Sequence, residues 1–155
     1  MTDTAFTTCL WFDTQAEEAV GFYVSVFKNS SVGRVLRQGE ADTVLTVEFE
    51  LNGQKFVALN GGPMFTFNEA VSFQIPCADQ DEVDHYWSRL IDGGQASACG
   101  WLKDRFGVSW QVVPTQLIDM HHDPDPEKAR RVMETMLTMV KLDIAPLVAA
   151  YEGTS

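Results

Sequence analysis

Cys99-Gly100-Trp101-Leu102-Lys103-Asp104-Arg105-Phe106-Gly107-Val108-Ser109-Trp110-Gln111 reads as two β-strands joined through a glycine. Leu10-Trp11-Phe12-Asp13, running into Ala16-Glu17-Glu18-Ala19-Val20-Gly21-Phe22-Tyr23, reads as a buried strand, a sharp turn and an amphipathic helix. Between them these stretches fix the kind of fold the chain adopts.

Thr7 to Phe12 alternates and is β-rich, which predicts a strand. Residues 15–28 carry Ala19, Val20, Phe22, Tyr23, Val26 and Phe27 on a helical period. Glu17 and Glu18 fall in the first turn, where the helix dipole favours acids. Asp13 or Thr14 is the expected N-cap. Strands follow at Val32–Leu36 and Thr43–Leu51, then Asn52-Gly53 signals a hairpin into Lys55–Asn60. Gly61-Gly62-Pro63 breaks the pattern. The linker after it is unusually apolar, with Met64, Phe65 and Phe67.

The same order then returns. Val71–Cys77 reads as a strand, and residues 79–92 as a helix burying Val83, Tyr86, Trp87, Leu90 and Ile91, ended by Gly93-Gly94. Trp101–Phe106 and Val108–Val113 read as strands. Glu17-Glu18 with Phe22-Tyr23 stands opposite Asp81-Glu82 with Tyr86-Trp87 at the same offset. That echo points to an internal duplication of a βαβββ unit. Past Pro114 the chain turns helical. Asp125 is the expected N-cap and Pro126 the first residue of a helix with Ala129, Val132, Met133, Met136, Leu137 and Val140 on one stripe. The fold class is α+β: paired βαβββ modules over 5–62 and 69–114, with a helical tail over 115–155, in one domain spanning 1–155.

The duplication, the LWFD…AEEAVGFY opening and the CGWLKDRFGVSWQ block resemble the vicinal-oxygen-chelate superfamily of glyoxalase I, bleomycin-resistance proteins and extradiol dioxygenases. Within it the chain resembles the PhnB-like branch, whose members often carry a 3-demethylubiquinone methyltransferase name. The resemblance runs over roughly residues 5–140, including DPDPEKARRVMETM. It implies an open, eight-stranded cup and a homodimer. It also implies a divalent cation held by His or Glu on the first and fourth strands of each module. Carried over by position, those ligands become Thr7 (or Thr8), Ala58, Ser72 and Gln111. Hard cations want charged oxygen donors, and zinc or nickel wants imidazole or carboxylate. One amide and two hydroxyls supply neither, so no metal and no cofactor are expected.

Alternation then divides the strands. Thr7, Cys9, Trp11, Ala58, Asn60, Ser72, Gln74 and Gln111 are expected on the cup face. Leu10, Phe12, Val57, Leu59, Phe73, Ile75, Trp110 and Val112 are expected against the helices. With Trp101, the first group forms the expected ligand-contact set: polar, small and aromatic side chains suited to a small organic ligand. Cys99 lacks a nearby base and reads as structural. His121-His122 cannot easily share an ion, because neighbours on a helix point about 100° apart. They suit a helix C-terminus instead.

The net charge of −11, from 11 basic and 22 acidic residues, argues against nucleic acid and anionic membranes. No apolar run approaches the ~20 residues of a membrane span. Met1-Thr2-Asp3-Thr4 lacks the pattern of a secretory signal, and Cys9, Cys77 and Cys99 form no disulfide or zinc spacing. A cytoplasmic location is expected. A methyltransferase of the doubly wound kind needs a glycine-rich strand-to-helix turn and much more chain. The leading functional expectation is therefore a metal-free protein binding a small ligand. The alternatives are an enzyme of the vicinal-oxygen-chelate type (lyase, isomerase or transferase) on a small oxygenated substrate, and an oligomeric scaffold.

Overall fold

Leu10 and Phe12 are buried while Cys9 is exposed and Trp11 half-buried, and this alternation organises the first part of the molecule. The computed structural model describes residues 5–154. The chain divides after Phe67 into two compact units. Each carries a four-stranded mixed sheet, and neither sheet closes on itself. With five helices among the described residues, the chain is α+β.

In the first unit, β1 (Thr8–Phe12) is followed by α1 (Ala16–Val26), β2 (Ser30–Gln38), β3 (Thr43–Leu51) and β4 (Gln54–Asn60), in sheet order β1-β4-β3-β2. β1 runs parallel to β4, and the other pairs are antiparallel. α1 buries Ala16, Ala19, Val20, Tyr23 and Val26, the i, i+3, i+4, i+7 pattern that turns one face to a sheet. Below it lie Leu10, Phe12, Val47, Phe49 and Phe56. Each such side chain contributes about 1.5–3 kcal/mol by leaving water. The Asn52-Gly53 turn has positive φ at both residues, 52° and 80°, as a tight type I′ hairpin requires.

The start of α1 differs from expectation. Neither Asp13 nor Thr14 caps it; Gln15 occupies the cap position without a side-chain bond. The cap comes from another strand. Asn60 Oδ1 accepts the Ala16 N–H at 2.9 Å, and Asn60 Nδ2 donates to Glu17 Oε1 and the Val44 carbonyl.

The second unit repeats the topology. β5 (Ser72–Cys77), α2 (Gln80–Ile91), β6 (Gln95–Ala96), β7 (Trp101–Lys103) and β8 (Ser109–Pro114) give the order β5-β8-β7-β6, with β5 parallel to β8 and the rest antiparallel. Asp79 caps α2, its carboxylate accepting the Glu82 N–H at 2.9 Å. α2 buries Val83, Tyr86 and Leu90.

The strand expected to run to Phe106 stops at Lys103. Asp104, only 3% exposed, turns the chain. Its Oδ1 accepts the Phe106 and Val108 N–H groups at 2.8 and 3.1 Å, and its Oδ2 accepts the Trp110 indole N–H at 2.8 Å. One buried carboxylate thus shapes the β7–β8 connection and pins Trp110 to the helix side.

After β8 come α3 (Thr115–His121), α4 (Pro126–Met136) and α5 (Ile144–Glu152). Asp125 caps α4 ahead of Pro126, as expected. The helices build a cluster of Leu117, Met120, Val132, Leu142 and Leu147 against Val113. Val132 is fully buried in it, so the α4 stripe is partly satisfied inside the chain. Met133, Leu137 and Val140 remain exposed. Between α4 and α5 the chain docks on the CGW segment: the Cys99 and Gly100 N–H groups donate to the Met139 and Val140 carbonyls at 2.9 and 2.7 Å. Gly100 has φ of 84°, and a Cβ there would meet the Val112 carbonyl oxygen at 2.9 Å. No described helix is long and apolar enough to cross a membrane.

Candidate functional site

Strand pairing in the second sheet sets Ser72 beside Ser109, Gln74 beside Gln111, and Gln111 beside Trp101. Paired residues share a face, so Ser72, Gln74, Trp101, Lys103, Ser109 and Gln111 lie on one side. Phe73, Ile75, Trp110 and Val112 lie on the other; Ile75, Trp110 and Val112 are buried. The alternation expected for this module holds, with Gln111 away from the helices and Trp110 toward them.

The face has a defined polar centre. Gln111 Nε2 donates to Ser72 Oγ at 2.8 Å, and Gln74 Nε2 donates to Gln111 Oε1 at 3.2 Å. Gln111 and Ser72 are half-buried and Gln74 is exposed. The chain of amides and hydroxyl is neutral throughout. It orients one amide without fixing a charge, so it suits recognition of a carbonyl or hydroxyl. Half-buried Trp101 stands next to it in register.

The first sheet departs from expectation. Cys9 pairs with Val57 and Trp11 with Leu59, so Val57 and Leu59 share the open face. Ala58 pairs with Leu10 and Asn60 with Phe12, on the face beneath α1. Ala58 is fully buried there, and Asn60 spends its amide on the helix start and Val44. The expected facing of Ala58 and Asn60, and of Val57 and Leu59, is therefore exchanged. β4 is apolar on both faces from Phe56 to Leu59, and the polarity of Asn60 serves a helix cap instead.

Trp11 is already engaged. Its indole N–H donates to the Gly62 carbonyl at 2.9 Å, and Phe65 meets its ring edge-on at a centroid distance of 4.9 Å. A Cβ on Gly61 would fall 2.4 Å from the ring. Phe67 packs similarly on Phe12. The apolar linker thus folds back onto β1, which explains its composition. Thr7, exposed just before β1, borders a cleft with the ion pair of Arg34 and Glu48.

The cysteines are free. Desolvation raises the Cys9 thiol above its ordinary value, although the residue is exposed overall. Burial pushes Cys77 up to about 12, with the charge of Glu82 adding to the effect. Neither environment activates a thiolate. Cys99 has φ of 59° and spends its N–H on the tail. His121 ends α3; burial first, and the neighbouring His122 second, lower its pKa.

The superfamily's metal does not fit these residues. Ser72, Gln74 and Gln111 are neutral and bonded to one another, and the corresponding part of β4 offers Val57 and Leu59. Among the described residues, no three His, Cys, Asp or Glu side chains gather as a ligand set.

Residues 4–113 match the 3-demethylubiquinone-9 3-methyltransferase family. A solved structure from Bacillus cereus, named as 3-demethylubiquinone-9 3-methyltransferase, PhnB protein, is 33% identical, with a TM-score of 0.67 over 72% of this chain and 99% of that one. Protein PA1353 of Pseudomonas aeruginosa shares the fold at 16% identity, with a TM-score of 0.61 over 72% of this chain and 98% of its own. The fosfomycin resistance protein FosX of Listeria monocytogenes, solved with Mn(II) and sulfate, shares the fold at 17% identity and a TM-score of 0.50, over 71% and 90%. No curated protein matches the chain. The family match ends where β8 ends, so the three tail helices lie outside it. By the match over 4–113 and the likeness to the Bacillus PhnB protein, the chain belongs to the 3-demethylubiquinone-9 3-methyltransferase (PhnB-like) family.

Proposed function

We propose that the open face of the second sheet binds a small, neutral, partly apolar organic ligand through Gln111, without a resident metal. One observation carries this reading: the bonded chain Gln74–Gln111–Ser72. It stands where catalytic members of the superfamily are expected to place a charged ligand for their cation. Neutral partners on both sides of Gln111 orient its amide, and an oriented amide discriminates between ligands through donors and acceptors rather than charge. Trp101 beside it supplies a flat apolar wall. Cys9 and Trp11 are proposed as contacts of a separate small ligand on the open face of the first sheet.

The test is ligand-observed NMR with neutral ketones and esters of up to eight or so heavy atoms. Gln111→Leu weakens binding by about 1–3 kcal/mol, the usual cost of losing a hydrogen bond to a buried polar partner. Its melting temperature stays near that of the parent, because Gln111 is only half-buried. Unchanged affinity in Gln111→Leu refutes the reading.

We also propose a symmetric homodimer in the cytoplasm. Exposed Met133, Leu137 and Val140 support the first part, and three free thiols fit a reducing compartment. Sedimentation at micromolar concentration is expected to give twice the chain mass; a monomer there contradicts it.

A further inference from the structure

Residues 137–143, between α4 and α5, form a strap that α2 and the CGW segment hold from two sides. Gln80, half-buried in the first turn of α2, makes the clamp. Its Oε1 accepts the Ile144 N–H at 2.8 Å, and its Nε2 donates to the Leu142 carbonyl at 3.3 Å. The same Nε2 donates to Asp84 Oδ1 at 3.0 Å, and Asp84 pairs with Lys141 of the strap. One amide thus fixes the end of the strap through both its donor and its acceptor. Leu142, 1% exposed, is seated on Gly100, where a Cβ would fall 2.9 Å from Leu142 Cδ1.

The turn under the strap needs support. Cys99 and Gly100 both lie in the left-handed region, with φ of 59° and 84°. A residue with a Cβ is disfavoured there, so Cys99 is held in this conformation from outside. The N–H groups of both residues donate to the strap carbonyls of Met139 and Val140, and the Gly100 carbonyl accepts the Val112 N–H at 2.8 Å. The next residue is Trp101, which opens β7. That strand is three residues long, so its own ladder anchors it weakly and the turn decides where it begins. Trp101 pairs directly with Gln111. Contacts therefore run without a break from Gln80 through the strap and the turn to Trp101. The strap lies in the part of the chain that the family match leaves out.

We propose that Gln80 is a positioning residue for the ligand face: by clamping the strap it holds the turn at Cys99 and Gly100, and so keeps Trp101 beside Gln111. The tail serves recognition in this way through backbone contacts. The proposal rests on the reading of Gln111 and Trp101 given above and adds what sets the apolar wall in place.

The experiment titrates the full chain with cyclohexanone, whose ring can cover Trp101, and with acetone, which covers little of it. Assigned amide and indole resonances report binding and hydrogen exchange. The parent prefers cyclohexanone. Gln80→Ala speeds exchange of the Cys99 and Gly100 amides by about tenfold or more. It also cuts the preference for cyclohexanone by about threefold, the scale of one aromatic contact, while acetone affinity holds. Lys141→Ala, a milder change at the same clamp, acts in the same direction. Tyr151→Phe removes a tail bond away from the strap, to Asp123, and is expected to lower the melting temperature but keep the preference. If Gln80→Ala speeds exchange yet keeps the preference, the positioning role is refuted and the Gln111 reading stands. A loss of preference in Tyr151→Phe equal to that in Gln80→Ala also refutes it, because tail stability alone would then explain the effect. If Gln111→Leu changes neither probe while Gln80→Ala costs the preference, the positioning role stands and the Gln111 reading falls. Absence of saturable binding by either ketone overturns both.

Discussion

Gln111 donates its amide to the Ser72 hydroxyl at 2.8 Å across two parallel strands, and accepts from Gln74 at 3.2 Å. Each member of this chain satisfies the next. The bonded chain carries no charge, and its two bonds use only one amide hydrogen and one carbonyl lone pair of Gln111. The face is therefore polar and ordered without being electrostatically strong. That combination favours selectivity for neutral ligands over affinity for ions.

Asp104 holds the turn on which this face depends. Asp104→Ala leaves the Trp110 indole N–H and two backbone N–H groups without their acceptor in a buried place. A loss of about 3–5 kcal/mol is expected in denaturant unfolding, the range for breaking a buried charged network. Asp104→Asn keeps part of the geometry and loses less. Equal stability of Asp104→Ala and the parent contradicts this account of the turn.

Gly61 makes room for Trp11. A methyl group there collides with the indole at 2.4 Å, so Gly61→Ala must displace the ring from Gly62 and Phe65. A destabilisation of about 1–3 kcal/mol is expected, as for other overpacked sites. Tryptophan fluorescence shifts with it. A fully native spectrum at unchanged stability would show that the clasp is not needed.

His121 makes stability depend on pH. Its folded pKa lies below the ordinary value of about 6.5, so the unfolded chain takes up its proton first as pH falls. The stabilising contribution is complete above about pH 6.5 and is lost as pH drops below it. Melting temperature is thus expected to fall between neutral pH and mildly acidic pH, and His121→Asn to flatten that slope. Parallel curves for parent and variant rule His121 out as the source.

The second module was legible because its strands alternate cleanly. Trp110 and Val112 against Ser109 and Gln111 leave one phase that buries the apolar set. β4 offers no such contrast. Phe56, Val57, Ala58 and Leu59 are all apolar, and Asn60 looks outward by polarity while it caps α1 from beneath. A one-residue slip therefore reads equally well in sequence and exchanges every side chain between faces. β6, two residues long, is too short for any periodic signal. Asp104 and Gly107 are turn residues that mark the end of the strand; what composition does not carry is that the Asp104 carboxylate is buried and accepts three N–H groups. Docking of Met139 and Val140 on Cys99 and Gly100 uses backbone groups alone, which leave no pattern in side chains.

A face that recognises neutral groups and holds no resident metal is checked by elemental analysis of protein purified without chelator, paired with melting curves before and after EDTA. Far less than one Mn, Fe, Ni or Zn per chain and an unchanged melting temperature are expected. The double variant Ser72→His with Gln111→Glu, which restores imidazole and carboxylate donors, is expected to gain measurable affinity for Zn(II) or Ni(II). One metal ion per parent chain, removed by EDTA with a large fall in melting temperature, would show that the face holds a resident metal.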